Sequence, residues 1–446
     1  MYLVVKDHKT ITPGDLPKTR PIVAGCQSMA RHLAGFISDI VEALADCMKN
    51  PMEAISTEDM LAIVEDYNAK VLSGFWGEDF DPEELVLLGA DVVSLFPSMD
   101  TTEVAREIRK ELEETELRIT EVDWKSLALY IALNMNQTEI NKQGLNRLMP
   151  IRKYNRGPRP GITTKEAKKK DPEEEELSKW HFPYPEAEPR EWELRRLIAI
   201  SIQIATEVVF NNYMYTFAGQ TYRQTKGGPI GSRLTMAASR ILMGRWSHKL
   251  REIMTGSELQ LFLLTGYVDD VRLIVKYLEN GQVWDSEAAA FTIKEEMKTS
   301  PEEWTRSRKL EHTKQEYAKM MSSIFAIRFT TETADEFPNS RLPTLDTEWW
   351  LSPSGTVNYS FFKKPVSTPY CVMAQSASPE EQKISILTQE VIRRMRHVSE
   401  EVKQEERNEI INQFCETMKI SGYKKETIKD LIIRGLKGYE RQREQA

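Results

Sequence analysis

An apolar stretch at residues 261–275 limits the possible folds more than any other feature, because its centre carries two adjacent aspartates, Asp269 and Asp270. Two apolar runs on either side of a short acidic turn predict a β-hairpin with buried strands. A second apolar run, residues 85–96, is broken by one carboxylate, Asp91, and predicts a buried strand. Burying a carboxylate without a partner or a metal is costly, so Asp91 requires an explanation beyond core packing.

The other elements follow from apolar periodicity and from turn signals. We expect the strand at 85–96 to end at Pro97. Helices are predicted at 29–49, near 102–115 and 120–136, and at about 190–210. Two more are predicted after Ser232, up to about residue 250, and from Ser378 onward. Strands are predicted as a pair within the first 45 residues and as hairpins after residue 210 and at 342–365, the last with its turn at Pro353 and Gly355. Residues 151–190 are rich in proline and in runs of like charge, which predicts a solvated insertion.

Composition bounds the class of protein. With 446 residues and 40% hydrophobic side chains, the chain can bury a sizeable core. A net charge of −8 argues mildly against a nucleic-acid partner, but net charge does not describe any one groove. The sequence has no apolar run of membrane-spanning length and no secretory signal pattern, and its four cysteines are far apart. We therefore expect a protein of the nucleus or the cytoplasm, neither secreted nor in a membrane.

The separated carboxylates indicate a chemistry. Phosphoryl transfer to a nucleotide 3′-oxygen uses two divalent ions about 3.5–4 Å apart, and Mg²⁺ prefers oxygen ligands. Asp91 at a strand and Asp269 with Asp270 at a hairpin tip could supply them. An isolated Asp-Asp pair is more often a solvated turn, so the prediction depends on the combination of motifs.

Four motifs occur in one order along the chain. They are Lys18-Thr-Arg-Pro21, Asp91-Val-Val-Ser-Leu-Phe96, Gly228-Pro-Ile-Gly-Ser232 and Tyr267-Val-Asp-Asp270. Together they resemble the fingers and palm motifs of reverse transcriptases, and 342–346 with 361–365 resembles the primer-grip hairpin of retroelement enzymes. The nearest group is that of eukaryotic retroelements, Penelope-like or related, and the resemblance spans residues 3 to about 440.

The resemblance implies an α+β, right-hand polymerase with fingers, an antiparallel palm sheet and a helical thumb. The fingers would be 1–85, shortened at the N-terminus, and the thumb 376–446. The palm would be 86–375, with fingers-associated helices at 101–150 and the charged insertion at 151–190.

The resemblance also assigns roles to individual residues. Asp91 and Asp269 would coordinate two Mg²⁺ ions, with Mn²⁺ as a substitute, Asp270 would be the third acid, and the Val92 carbonyl would complete one metal's shell. Phe96 would exclude a 2′-hydroxyl and so select deoxynucleotides. The implied nucleotide-binding residues are Lys18, Arg20, Phe96, Gly228, Pro229 and Gly231. Tyr267 would pack beside the primer terminus, and Trp349 would support the primer grip. Weaker candidates are Gln224 near the nucleotide, Lys6 or Lys9 in the fingers, and Lys314 or Lys319 as general acid.

The predicted function is therefore that of an RNA-directed DNA polymerase. Its partners would be an RNA template, a DNA or RNA primer and deoxynucleoside triphosphates. No nuclease signature follows the thumb, so we expect either a separate endonuclease or a free 3′-end from elsewhere. An RNA-directed RNA polymerase is the first alternative, although Val268 and Phe96 disfavour it. The second alternative is an inactive nucleic-acid-binding remnant, which the presence of all three acids disfavours.

Overall fold

The computed structural model describes residues 2–5, 19–22, 31–48, 50, 52–77, 80–114, 118–119, 180–181, 189–256, 259–325, 327–364 and 368–445. The helix predicted at 120–136 and nearly all of the insertion at 151–190 lie outside these residues. The described chain mixes helices with antiparallel sheets, as an α+β protein does.

The helices agree with most of the periodic patterns. They are α1 (Arg31–Cys47), α2 (Thr57–Leu72), α3 (Leu95–Ser98), α4 (Thr101–Glu114), α5 (Pro189–Asn211), α6 (Arg233–Gly256), α7 (Arg306–Ser323), α8 (Glu380–Arg396), α9 (Gln404–Ile420) and α10 (Lys425–Gln445). Neither α2 nor α7 was predicted. None of the helices in the described part of the chain combines the length and the apolar character needed to cross a bilayer.

The strands form one larger sheet and several small ones. They are β1 (Tyr2–Val5), β2 (Thr19–Ile22), β3 (Leu85–Val92), β4 (Arg118–Ile119), β5 (Trp180–His181), β6 (Met214–Phe217), β7 (Gln220–Arg223), β8 (Leu261–Tyr267), β9 (Asp270–Lys276), β10 (Gln282–Asp285), β11 (Ala290–Ile293), β12 (Phe329–Thr333), β13 (Leu342–Thr344), β14 (Thr347–Leu351) and β15 (Val357–Phe361). The predicted hairpins are confirmed as β6–β7, β8–β9 and β14–β15, and the N-terminal pair as β1–β2.

The central sheet has the order β12-β3-β9-β8, and all of its neighbours are antiparallel. β3 pairs with the whole of β9, from Leu85 opposite Lys276 to Asp91 opposite Asp270. We predicted that the apolar run at 85–96 would remain extended as far as Pro97, and this prediction was wrong. The strand ends at Val92, because Ser94 adopts a left-handed φ of 56° and the chain then turns into α3.

Each face of the central sheet packs against its own hydrophobic core. Val86, Leu88 and Ala90 of β3 belong to a large core that includes residues of α1, α4, α5, α6 and α7. Leu85 and Leu87 belong to a second core, formed with α2 and the three-stranded sheet β13-β14-β15. Successive strand residues point to opposite faces, so both faces of β3 are covered and its sequence is apolar throughout.

The C-terminal helices α8, α9 and α10 form a further core around Val391, Phe414 and Leu431. This bundle contacts the three-stranded sheet through Phe361, whose ring lies 4.4 Å from the guanidinium of Arg394. The sheet β13-β14-β15 therefore lies between the central sheet and the helical bundle.

Candidate active site

The register of the central sheet brings the three predicted acids to one end of it. Asp91 lies opposite Asp270 in the β3–β9 pair. The backbone N–H of Val92 donates a hydrogen bond to the carbonyl oxygen of Asp269, at 3.1 Å. Directly paired residues of antiparallel strands have Cα atoms about 4.5–5.5 Å apart. Acids from two distant segments of the sequence are therefore close neighbours in the fold.

Solvent reaches this end of the sheet. Asp91 is the exposed residue of an otherwise buried β3, whereas Asp269 and Asp270 are half-buried. The strand is buried as predicted, but the argument that Asp91 itself is buried was wrong. Its position next to the last residue of the strand places its side chain at the open edge, where water offsets the cost of the charge.

The turn that carries Asp269 is conformationally unusual. Val268 has a left-handed φ of 58°, which is rare for a β-branched residue. Tyr267, next to it, keeps 37% of its surface exposed at the same edge. Strained backbone of this kind clusters at functional sites, where the surrounding structure holds it in place.

A fourth carboxylate joins the same face of the sheet. Glu332 on β12 lies opposite Gly89 of β3, two residues before Asp91. Burial raises the pKa of Glu332, and the negative charges of Asp270 and Asp91 raise it further against the opposing charge of Arg272. Sequence patterns missed Glu332 because β12 has no run of apolar residues.

The donor set suits magnesium, since carboxylate oxygens are the ligands this ion prefers. Among the residues that the structure describes, however, no three acidic, histidine or cysteine side chains form a ready-made metal cluster. The Asp270 carboxylate accepts a hydrogen bond from the guanidinium of Arg272, with which it also forms an ion pair. Two Mg²⁺ ions at Asp91, Asp269 and Asp270 therefore stay a prediction.

The predicted glycine motif packs against the turn that carries Phe96. The N–H of Gly228 donates to the carbonyl of Phe96 at 2.8 Å. A Cβ atom on Gly227 would lie 2.5 Å from that same oxygen, and φ of Gly227 is +70°. Gly227 was not among the predicted site residues, although it directly precedes the quoted motif. The loop can approach Phe96 this closely because a side chain is absent there.

Other loop residues shape the connection to α6. Gly231 has a φ of +101°, and the Ser232 N–H donates to the carbonyl of Pro229 at 3.2 Å, just before α6 begins. The side-chain amide of Gln224 donates to the carbonyls of Lys226 and Gly227, each at 3.0 Å. Gln224 thus stabilises the loop itself.

Comparison with known proteins gives limited similarity. No family model matches the sequence, and no curated protein matches it. Among solved structures, the chain is similar to telomerase from Candida albicans in complex with a TWJ fragment of telomeric RNA, with 10% identity, a TM-score of 0.47, and coverage of 89% of this chain and 48% of that one. Apo telomerase from Candida tropicalis shows 11% identity and a TM-score of 0.38, with 92% and 49% coverage. The chain spans about half the length of these telomerase chains, and similarity at this level assigns no role to any residue.

The predicted fingers cations cannot be placed. Arg20 lies on β2, opposite Val4 of β1, but its side chain is not described. Lys6, Lys9 and Lys18 lie outside the described residues. Their roles in nucleotide binding stay predictions.

Trp349, predicted to support the primer grip, is a core residue of the three-stranded sheet, and its supporting role stays a prediction. Its side chain is fully buried in the core shared by α2 and the three-stranded sheet, and its indole N–H donates to Thr347 Oγ1 at 2.7 Å. Strand residues alternate between faces, and Trp349 points inward. The half-buried Trp350 points the other way, and the Arg341 guanidinium lies 3.9 Å from its ring.

The two candidate general acids are engaged in ion pairs. Lys314 Nζ lies 2.6 Å from a carboxylate oxygen of Glu336 and 3.4 Å from one of Glu311. Burial lowers the pKa of Lys314, but these ion pairs outweigh it, so the pKa is raised overall. Lys319 pairs with Glu316 at 2.5 Å. A raised pKa makes Lys314 a weaker proton donor near neutral pH.

Proposed function

We propose that this protein is an RNA-directed DNA polymerase of the reverse transcriptase type, which extends a primer 3′-end with deoxynucleotides. The observation that carries the proposal is the pairing of Asp91 with Asp270, with Asp269 held to Val92 at the same end of the sheet. Sheet geometry of this kind holds mutually repelling carboxylates close together, as a two-metal site requires.

The site residues would divide the work of one nucleotidyl transfer. Asp91 and Asp269 would hold two Mg²⁺ ions, which supply activation of the 3′-oxygen and neutralise the triphosphate. The 3′-hydroxyl would lose its proton to solvent and its oxygen would attack the α-phosphorus as the bond to pyrophosphate breaks, so one phosphodiester would form and one pyrophosphate would leave. Phe96 would lie under the incoming sugar and leave no room for a 2′-hydroxyl.

The contact between the glycine loop and Phe96 supports this choice of sugar. The N–H of Gly228 donates a hydrogen bond to the Phe96 carbonyl, so the glycine loop restrains the backbone turn that carries the Phe96 ring. The ring itself is half-buried against the large core, which limits its rotamers. A rigid aromatic side chain discriminates a hydroxyl better than a mobile one, because it cannot move aside.

The architecture would be that of a right hand. The central sheet would be the palm, the helical bundle α8–α10 the thumb, and the N-terminal segment part of the fingers. Arg20, Lys18, Pro229 and Gly231 would line the nucleotide site, with Tyr267 near the primer terminus. A retroelement origin, Penelope-like or related, an endonuclease partner and a nuclear or cytoplasmic site of action belong to the same proposal.

An RNA-directed RNA polymerase would use the same acids but would admit ribonucleotides. The aromatic Phe96 and the bulky Val268 before the two aspartates argue against it. An inactive remnant would bind template and primer without Mg²⁺-dependent incorporation. Both alternatives are separated from the proposal by one assay.

The test is primer extension on an RNA template with labelled deoxynucleotides and Mg²⁺. We expect extension by the native chain and a loss of about a thousandfold or more in Asp269→Asn, because the metal would lose a charged ligand. Asp66→Asn is the matched control, since Asp66 is an exposed aspartate of α2 paired with Lys70. Phe96→Ala should raise ribonucleotide incorporation about tenfold or more, given the discrimination that one well-placed contact supplies.

Three results would contradict the proposal. Extension that persists in Asp269→Asn would show that the acids are not the metal site. A native chain that prefers ribonucleotides would favour the RNA polymerase instead. If Asp66→Asn lost as much activity as Asp269→Asn, the effect would be one of charge and not of the site.

A further inference from the structure

We propose that Arg272 is a positioning residue that fixes the carboxylate of Asp270 and links it to the three-stranded sheet β13-β14-β15. The inference rests on the proposed function, because it assigns Arg272 a role in the metal site suggested for Asp91, Asp269 and Asp270. It concerns a residue that no sequence motif singled out.

Arg272 is buried in the middle of the sheet and is surrounded by acceptors. Its side chain is 2% exposed. Its guanidinium donates from Nε to Thr344 Oγ1 at 2.7 Å, from Nη2 to the Pro343 carbonyl at 2.6 Å, and from Nη1 to the Val271 carbonyl at 2.9 Å. Nη1 also donates to Oδ1 of Asp270. A planar guanidinium with so many acceptors has a single orientation.

The local sequence makes this orientation possible. Gly89 of β3 lies between Arg272 of β9 and Glu332 of β12, and it is paired with each of them. A Cβ atom at Gly89 would lie 2.9 Å from Glu332 Cγ and 3.3 Å from Arg272 Nη1. The missing side chain therefore leaves room for both long side chains to cross β3, and Arg272 Nη2 comes within 3.9 Å of Glu332 Oε1.

The charges on this face explain why a cation is needed. Asp91, Asp270 and Glu332 carry carboxylates on one face of three adjacent strands, and the Arg272 guanidinium lies among them. A carboxylate beside others of like charge would turn away from them into solvent. The hydrogen bond from Arg272 holds Oδ1 of Asp270 toward the sheet and so restricts how Oδ2 can point.

The contacts to β13 give Arg272 a second effect. Pro343 and Thr344 belong to the three-stranded sheet, which also contacts the C-terminal bundle. The position of Asp270 is thereby tied to a sheet outside the hairpin that carries the acids. Partners of this kind, one step removed from a metal ligand, typically change metal affinity by about 10- to 100-fold when they are removed.

The test measures Mn²⁺ binding to the full chain by electron paramagnetic resonance, with template–primer and a deoxynucleotide present. We expect Arg272→Met to weaken binding about tenfold, because Asp270 loses its restraint. Arg272→Lys keeps a cation near Asp270 but cannot span Pro343 and Thr344, so we expect a loss of about threefold, given the fork geometry that only arginine has. Thr344→Val, which leaves the ion pair in place, should give a similar small loss. Asp66→Asn is the control for a change of exposed charge.

A double-mutant cycle decides whether Arg272 acts through Asp270. In an Asp270→Asn background, the further loss from Arg272→Met should shrink to less than about twofold, because the group it positions is gone. Equal losses in both backgrounds, or native affinity in Arg272→Met, would overturn the proposal. If Arg272→Met does not fold, as judged by thermal melting, the same cycle with Arg272→Lys and Thr344→Val decides in its place.

The two proposals fail differently. Native-like primer extension with Mn²⁺ affinity unchanged in the Arg272 and Thr344 variants would contradict the role of Arg272 alone. Mn²⁺ binding that depends on Asp91 and Arg272 but supports no primer extension would contradict the polymerase alone.

Discussion

Gly227 occupies a position where even one methyl group has no space. Its φ is +70°, and an added Cβ would lie 2.5 Å from the Phe96 carbonyl oxygen and close to the carbonyl of Pro97. Gly219, at the turn between β6 and β7, has a similar φ of +77° but has nothing within 4 Å of an added Cβ. The two glycines therefore separate backbone strain from steric contact.

Gly227→Ala should destabilise the protein more than Gly219→Ala. A left-handed backbone costs an L-residue about 1–2 kcal/mol, and we expect Gly219→Ala to lose about that amount. Gly227→Ala should lose about 1–3 kcal/mol more, because the glycine loop must move away from Phe96. Urea unfolding of both variants measures the difference. Equal losses would show that the loop is not packed on the Phe96 turn.

A buried histidine, His397, directly follows α8 and connects three elements. His397 Nδ1 lies 3.3 Å from Asp346 Oδ2 in the turn between β13 and β14, and Nε2 lies 3.4 Å from Glu58 Oε1 on α2. Arg393 of α8 forms an ion pair with the same Asp346. Burial lowers the pKa of His397, and the charge of Arg393 lowers it further, against the opposing effect of Glu58.

The lowered pKa of His397 means that the packing of α8 against its neighbours should weaken as the pH falls. In the unfolded chain His397 takes up a proton near its ordinary pKa of about 6.5, whereas the folded site resists it. Stability from His397 is therefore present above pH 6.5 and is lost as the pH falls below it, by on the order of 1 kcal/mol per pH unit. Between pH 7.5 and 5.5, the melting temperature of His397→Gln should fall less than that of the native chain, as thermal unfolding would measure.

His248 provides the control for this measurement. It is exposed on α6, so His248→Gln should keep the pH dependence of the native chain. An unchanged pH dependence in His397→Gln would contradict the assignment of the acid sensitivity to α8.

At the level of elements, the sequence predicted those that are apolar throughout. The hairpin β8–β9 and the strand β3 are buried on both faces, so their patterns are unambiguous. β12 was missed because Phe329–Thr333 is mostly threonine and glutamate, and only its position at the sheet edge makes it a strand. The pattern alone did not show that Trp349 faces the core, because an aromatic residue in a strand has the same pattern whether it faces the core or a ligand.

The sequence was enough to predict the three acids of the site, but not the hydrogen bonds and ion pairs that connect Asp270 to its neighbours. Asp91, Asp269 and Asp270 could be found from their interruption of apolar runs. Arg272 could not, because its partners Glu332 and Thr344 lie on strands that are distant in sequence. Its hydrogen bonds depend on register, and register follows from pairing between strands.

For the whole molecule, the two cores on opposite faces of one sheet fix where the acids lie. The core formed with α6 and α7 packs against one face of the central sheet, and the core formed with α2 and the three-stranded sheet packs against the other face. The acids occupy the end of the sheet where neither core covers Asp91. The net charge of −8 therefore says little about this end, since a bound metal ion would dominate its local field.

The most direct measurement asks whether the separated acids hold one metal ion. Fe²⁺ replaces Mg²⁺ in the full chain with template–primer and a deoxynucleotide. Added hydrogen peroxide is reduced by the bound Fe²⁺ to hydroxyl radicals that cut the backbone near the ion, and ascorbate returns the resulting Fe³⁺ to Fe²⁺. We expect cuts near both Asp91 and Asp269, suppressed by excess Mg²⁺ and absent in Asp91→Asn. Cuts near only one of the two segments, or cuts that Mg²⁺ does not suppress, would contradict a shared metal site at the end of the sheet.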